Sequence, residues 1–170
     1  MKKLTLLLIM ALLLSLTALP AVSSLAESPA PDFTAADQYG QVWTLSQLRG
    51  RAVLLHLWTT WYAWCDRDLQ ELEAFYRESG MNQGDVVVLG VASPEGRDSA
   101  TAAEIAGFLA KRGVTCPVLM DTTGVIYGQL APADLPATYF VSPAGVLLGY
   151  APGAAERLTL MNLATIAKGN

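Results

Sequence analysis

The sequence predicts an α/β domain: a central mixed sheet with helices on both faces, preceded by a β-hairpin. Three observations carry that expectation. Two continuous apolar runs, "AVLLHLW" (52–58) and "DVVVLGVA" (85–92), are separated by a stretch of helical periodicity, the pattern of parallel strands buried on both faces and joined by a crossover helix. A second helix-strand pair follows in "TAAEIAGFLAKRG" and "TCPVLMD" (115–121). Finally, "ATYFVS" and "GVLLGYA" flank Pro143-Ala144-Gly145, a strand-turn-strand signal, ahead of the closing amphipathic stretch "AAERLTLMNLATIAKG".

Taken in order, the chain starts with Lys2 and Lys3, then the apolar run "LTLLLIMALLLSLTALPAV" and "SSLAES". This is the pattern of a secretory signal peptide. Ser24 and Ala26 place small residues where a signal peptidase reads, which predicts cleavage after Ala26 and a domain over residues 27–170. The run is also long enough to remain as a membrane anchor, since spanning takes about 18 or more apolar residues. "ESPAP" (27–31) looks like a linker, and "DFTAADQYGQVWTLSQL" like two short strands turning at Tyr39-Gly40, with a helical turn opened by Ser46.

Between the two buried runs, Cys65, Leu69, Leu72 and Tyr76 recur at helical spacing, with Glu71, Glu73 and Arg77 expected on the solvent side. In the next helix Ile105, Phe108 and Leu109 form the apolar stripe and Gly113 the stop. "TTGVIYGQLAPAD" suggests a short helix and a loop. The alternation of strands and helices places helices on both faces of one sheet.

Composition narrows the function. Without Lys2 and Lys3 the domain carries nine basic against fifteen acidic residues, a net charge of −6, which argues against nucleic acid or anionic lipid as a partner. Export permits disulfides, yet Cys65 and Cys116 are the only cysteines, so this is not a disulfide-stapled fold. With them and a single histidine, His56, the usual ligands of structural zinc are missing. No metal and no cofactor are expected.

The stretch "LWTTWYAWCDRD" (57–68) then carries the chemistry. Together with "APDFTAADQYGQVWTLSQLRGRAVLLHLWTTW", "GVTCPVLMD" and "LPATYFVSPAGVLLGY", it resembles the TlpA-like thiol-disulfide oxidoreductases, in the redoxin branch of the thioredoxin superfamily. The resemblance covers nearly all of the expected domain and implies a thioredoxin-like fold with its site at the start of the helix after "AVLLHLW". It also implies a cis peptide at Leu135-Pro136, facing that site. In the family's motif a tryptophan, two small residues and a second tryptophan lead into Cys-x-x-Cys. Here Trp58 and Trp61 match, Cys65 matches the second cysteine, and Tyr62 stands where the first belongs, giving a degenerate Tyr-Ala-Trp-Cys site.

In a working pair the first thiol attacks a disulfide from a helix N-terminus and the second resolves the mixed disulfide. A phenol, with an ordinary pKa of about 10, does neither. Cys65 is therefore either a reactive thiol or a buried remnant. Asp68 corresponds to a family acid that handles protons beside the buried thiol, or, with Asp66, it merely favours a helix start. Gln70 replaces a proline common in the family, which puts a helix kink there in doubt. His56, inside an apolar strand, fits a core histidine better than a catalyst. Trp43 and Trp58 fit the core, whereas Trp61 and Trp64, in the loop, fit exposed recognition together with Leu135 and Pro136.

Three functions are compatible with these residues. One is an exported member of the oxidoreductase family with its dithiol activity lost and a binding or accessory role toward a protein or small thiol in the cell envelope. Another is a one-cysteine enzyme using Cys65 for thiol exchange or peroxide reduction. The peroxiredoxin pattern Pro-x-x-x-Thr-x-x-Cys is absent, because Thr60 lies five residues before Cys65 and no such proline precedes it. The third is a membrane-anchored assembly factor, with the membrane involved only if the N-terminal segment is uncleaved.

Overall fold

The computed structural model describes residues 23–61, 65–92 and 100–169. Among the described residues the main sheet has six strands, in the order β1 (Ser23–Pro29), β8 (Val146–Pro152), β7 (Ala137–Val141), β4 (Ala52–Trp58), β5 (Val86–Ala92) and β6 (Val118–Met120). β4 (Ala52–Trp58) and β5 (Val86–Ala92) are buried at every position, which is why both stand out as unbroken apolar runs. They pair in parallel, as β5 does with the short β6 (Val118–Met120). On the other side β7 (Ala137–Val141) and β8 (Val146–Pro152) extend the sheet antiparallel, joined by a turn in which Gly145 takes a φ of 78°. A separate hairpin of β2 (Thr34–Ala36) and β3 (Val42–Thr44) turns through Gly40 and touches Leu119 by a single bridge from Asp37. The Gln38 side chain completes the β6 edge, accepting from Val118 N–H at 2.7 Å and donating to the Cys116 carbonyl at 2.9 Å.

Four α-helices are described: α1 (Cys65–Glu78), α2 (Ala102–Lys111), α3 (Val125–Leu130) and α4 (Arg157–Lys168). α2 starts at a capping box between Thr101 and Glu104 and is followed by Gly113 at positive φ. The two faces of β4 divide the core. Leu54 and Trp58 pack with Leu69, Leu72 and Phe75 of α1, Ile105 and Leu109 of α2, and Leu160 and Leu163 of α4. Val53, Leu55 and Leu57 pack with Phe33, Leu45, and Ile126 and Leu130 of α3. At Gly90 a Cβ would meet Val118 at 2.9 Å and the Trp58 Nε1 at 3.5 Å, so glycine lets the Trp58 ring lie against β5.

The structure corrects three expectations. "ESPAP" is not a free linker: Ser23–Pro29 forms β1, antiparallel to β8, because that strand offers an unpaired edge. The helical turn is a 3-10 turn over Leu45–Leu48 that starts before Ser46, whose N–H donates to Asp32 at 2.9 Å. Glu73 does not face solvent; it is buried under the segment that leads into β6.

Candidate functional site

The carboxyl ends of parallel strands are where an α/β sheet exposes its loops, and the candidate site forms there. β4 ends at Trp58, which stacks on Phe108 of α2 at 5.7 Å between ring centroids. Thr59 is buried and Trp61 is 48% exposed. Tyr62 and Trp64 lie outside the described residues, as does the side chain of Cys65, whose backbone opens α1. Beside this helix start β7 begins next to the end of β8: the Leu135-Pro136 peptide is cis, as the resemblance implied, and Gly153 N–H donates to the Pro136 carbonyl at 2.8 Å. Between the two lies an open cleft of about 660 Å³.

This cleft brings together three of the expected residues, Asp68, Leu135 and Pro136. Trp61 is not among its walls. The residues missed from sequence are Asp134, Glu156 and Arg67 at its edges and Pro152 and Gly153 along one side. A signal for the last pair existed, because a chain leaving the end of β8 must pass the start of β7. A second hollow, of about 30 Å³, lies at the opposite end of β7 beside Arg49 and Ser142, with room for about one or two water molecules.

Asp68 is only 2% exposed. Burial pushes its carboxyl up to about 6, against weaker lowering by the Ala155 N–H and by Arg67; Glu156 and Glu71 push it up further. Oδ2 has no hydrogen-bond partner. Asp68 therefore changes charge near neutrality, as a proton-handling group must.

The raised value fixes a sign. The native state holds the Asp68 proton more tightly than the unfolded chain, so ionising it weakens the fold above about pH 6, and the penalty fades as pH falls through 6 toward 3.8. Asp68→Asn is expected to stabilise the protein by about 1 to 2 kcal/mol at pH 8, after discounting the amide donor it buries, and to lose that advantage by about pH 3.5. Urea melts at the two pH values check this; a pH-independent difference would refute the buried ionisation.

The unpaired atoms cluster near the same end of β4: His56 Nε2, Trp58 Nε1 and Thr59 Oγ1 are buried without partners, like Asp68 Oδ2. His56 pairs only through Nδ1, with Thr138 Oγ1 at 3.0 Å, and burial lowers its pKa to about 4. It is neutral at physiological pH and away from the cleft walls, in keeping with a core histidine.

The second thiol is elsewhere. Cys116 is fully buried and unpaired, with Sγ 3.5 Å from the Val88 carbonyl. Burial and the nearby Glu73 carboxylate raise its pKa far above the ordinary thiol value, which keeps it protonated and inert. Glu73 holds its backbone N–H at 2.7 Å and lies eight residues along α1 from Cys65, about 12 Å at 1.5 Å per residue. The sheet agrees: Val88 is level with Leu54 of β4, four rungs short of Trp58, or about 13 Å. A disulfide needs Cα atoms within about 7 Å.

The model of the AhpC/TSA family matches residues 26–149. Curated relatives include the thiol-disulfide oxidoreductase ResA of Geobacillus thermodenitrificans (strain NG80-2), 27% identical over 121 residues, 69% of this chain and 64% of that protein. ResA of Bacillus subtilis (strain 168) is 26% identical over 126 residues, 74% of this chain and 66% of the relative. The match thus spans just under two thirds of their length. Among solved structures, the pneumococcal exposed lipoprotein thioredoxin (Etrx1) from Streptococcus pneumoniae strain TIGR4 has a TM-score of 0.72 at 25% identity, over 80% of this chain and 99% of that one. A secreted thiol-disulfide isomerase from Corynebacterium glutamicum gives 0.70 at 18% identity, over 83% and 86%. The fold is thioredoxin-like.

Proposed function

The chain belongs to the AhpC/TSA family, and from that premise we propose that it is an exported thioredoxin-fold protein of the thiol-disulfide oxidoreductase group whose dithiol cycle is lost. Its remaining role is to bind a partner, a protein or a small thiol of the cell envelope, at the cleft beside Leu135 and Pro136. One observation carries this reading: of the chain's two thiols, Cys116 is sealed at 0% exposure against Glu73, two turns along α1 from Cys65, while the resemblance puts Tyr62 at the attacking position. Export is supported by the charged start and apolar run of residues 1–26 and by similarity to an exposed lipoprotein. Among the described residues no helix is long and apolar enough to cross a membrane; the first run, if retained, would supply an anchor.

A second reading, a one-cysteine enzyme using Cys65, is favoured by Asp68. It sits three residues along α1 from Cys65 and titrates near 6. Native labelling with a thiol reagent at pH 7, mapped by mass, separates the two. Both cysteines should stay protected until the protein is denatured. Fast labelling of Cys65 with Cys116 still protected would replace the first reading by the second.

A further inference from the structure

The cleft is unevenly charged. Asp134 and Glu156 stand exposed at its rim and Asp68 is buried in its lining, against one cation, Arg67. The rim pair alone says little, since exposed carboxylates are content in water. Asp68 is different: it is 98% buried, and the fold supplies no donor to its Oδ2. Leaving a buried carboxylate oxygen uncompensated is costly, and because Oδ2 is sealed from solvent a cation in the cleft relieves that cost through its field rather than by contact. The walls fit the rest of such a ligand. Half-buried Leu135 and exposed Pro152, with Pro136 buried beneath them, are apolar walls against which the methylene stem of a long basic side chain packs while its head stays polar. The volume, about 660 Å³, falls within the roughly 300–1,000 Å³ range of ligand pockets and is more than a lone ammonium group needs.

We propose that the cleft selects an extended polypeptide segment bearing a lysine or arginine, whose cation sits between Asp134 and Glu156 and faces Asp68. The inference rests on the reading that this cleft is the partner site, and it names the chemistry of the partner. The net charge of −4 over the whole chain adds long-range attraction for a basic partner. Arg67 balances one carboxylate of the three, so it does not reverse the preference. Binding also acts on Asp68 itself. The groups that face it are the Ala155 N–H, Arg67, Glu71 and Glu156, and an added cation lowers its titration below the free-state value.

The test uses the full-length chain in a neutral detergent and three blocked peptides, Gly-Leu-Lys-Leu-Gly and its norleucine and glutamate counterparts, with binding followed by NMR shifts of residues around Pro136. The lysine peptide should bind about five- to tenfold more tightly than the norleucine peptide at low salt, the margin shrinking as salt rises. The Asp134→Asn/Glu156→Gln double variant, changed only at exposed positions, should lose most of that margin, and the lysine peptide should shift the Asp68 titration downward in the unmodified protein. Equal binding of lysine and norleucine peptides, or a preference for glutamate, would overturn the charge selection while leaving the cleft as a binding site. No shift near Pro136 with any peptide would overturn it together with the binding role proposed above.

Discussion

Tyr62→Cys is expected to turn a protein nearly inert in dithiol-dependent disulfide reduction into an active one, with a gain on the order of tenfold or more. The family resemblance motivates the change: it puts the attacking thiol at the start of the helix that here opens at Cys65, where unpaired N–H groups and the dipole favour thiolate. A thiol held near pKa 7 is half ionised at neutral pH, while a phenol is neither ionised nor able to exchange with sulfur. Cys65 would then take the resolving role, and Asp68, titrating near 6 one turn further on, is placed to manage its proton. Thiol release from a protein disulfide, with reductant in excess, measures the effect, and Tyr62→Ser controls for the space opened by losing the ring. Equal rates for the wild type and the cysteine variant would mean that the missing thiol was never limiting.

Much of this architecture is legible in the sequence because burial leaves a mark on residue type. β4 and β5 are apolar throughout since both their faces are covered, and their bounds fall within a residue of the runs that announce them. β1 leaves no such mark. What holds Ser23–Pro29 is backbone pairing with the edge of β8, and a backbone ladder needs no particular side chain. The site divides the same way. Asp68 and Pro136 follow from a local motif and a resemblance. Asp134 and Glu156 meet at the cleft only because β7 and β8 are neighbours in the sheet, a fact of topology that periodicity does not carry. Glu73 misleads for a related reason: its place on the helical wheel is polar, but the segment returning to β6 folds over it.

That burial makes Glu73→Ala the most damaging substitution expected outside the apolar core. One carboxylate oxygen accepts from Arg77 Nε and Thr115 Oγ1, both at 2.6 Å, and the other from the Thr115 and Cys116 N–H groups, both at 2.7 Å. Three of the four bonds pin α1 to the approach of β6, and the fourth, from Arg77, lies within the helix. Truncation leaves the buried Cys116 N–H without an acceptor and removes charged hydrogen bonds, for a loss of about 3 kcal/mol and a fall in Tm of roughly 10 °C. Glu71→Ala, on the same helix without this network, should change stability by about 0.5 kcal/mol or less. The pH dependence has a definite sign. Burial pushes the Glu73 carboxyl up, but the bonds from Thr115, Cys116 and Arg77 outweigh it and hold the group below its ordinary 4.5. Its contribution is therefore complete above pH 4.5 and is lost as pH falls through the lower native value, so the gap between wild type and variant should narrow in acid. A gap that stayed constant down to pH 3 would show that packing, and not the carboxylate, was responsible.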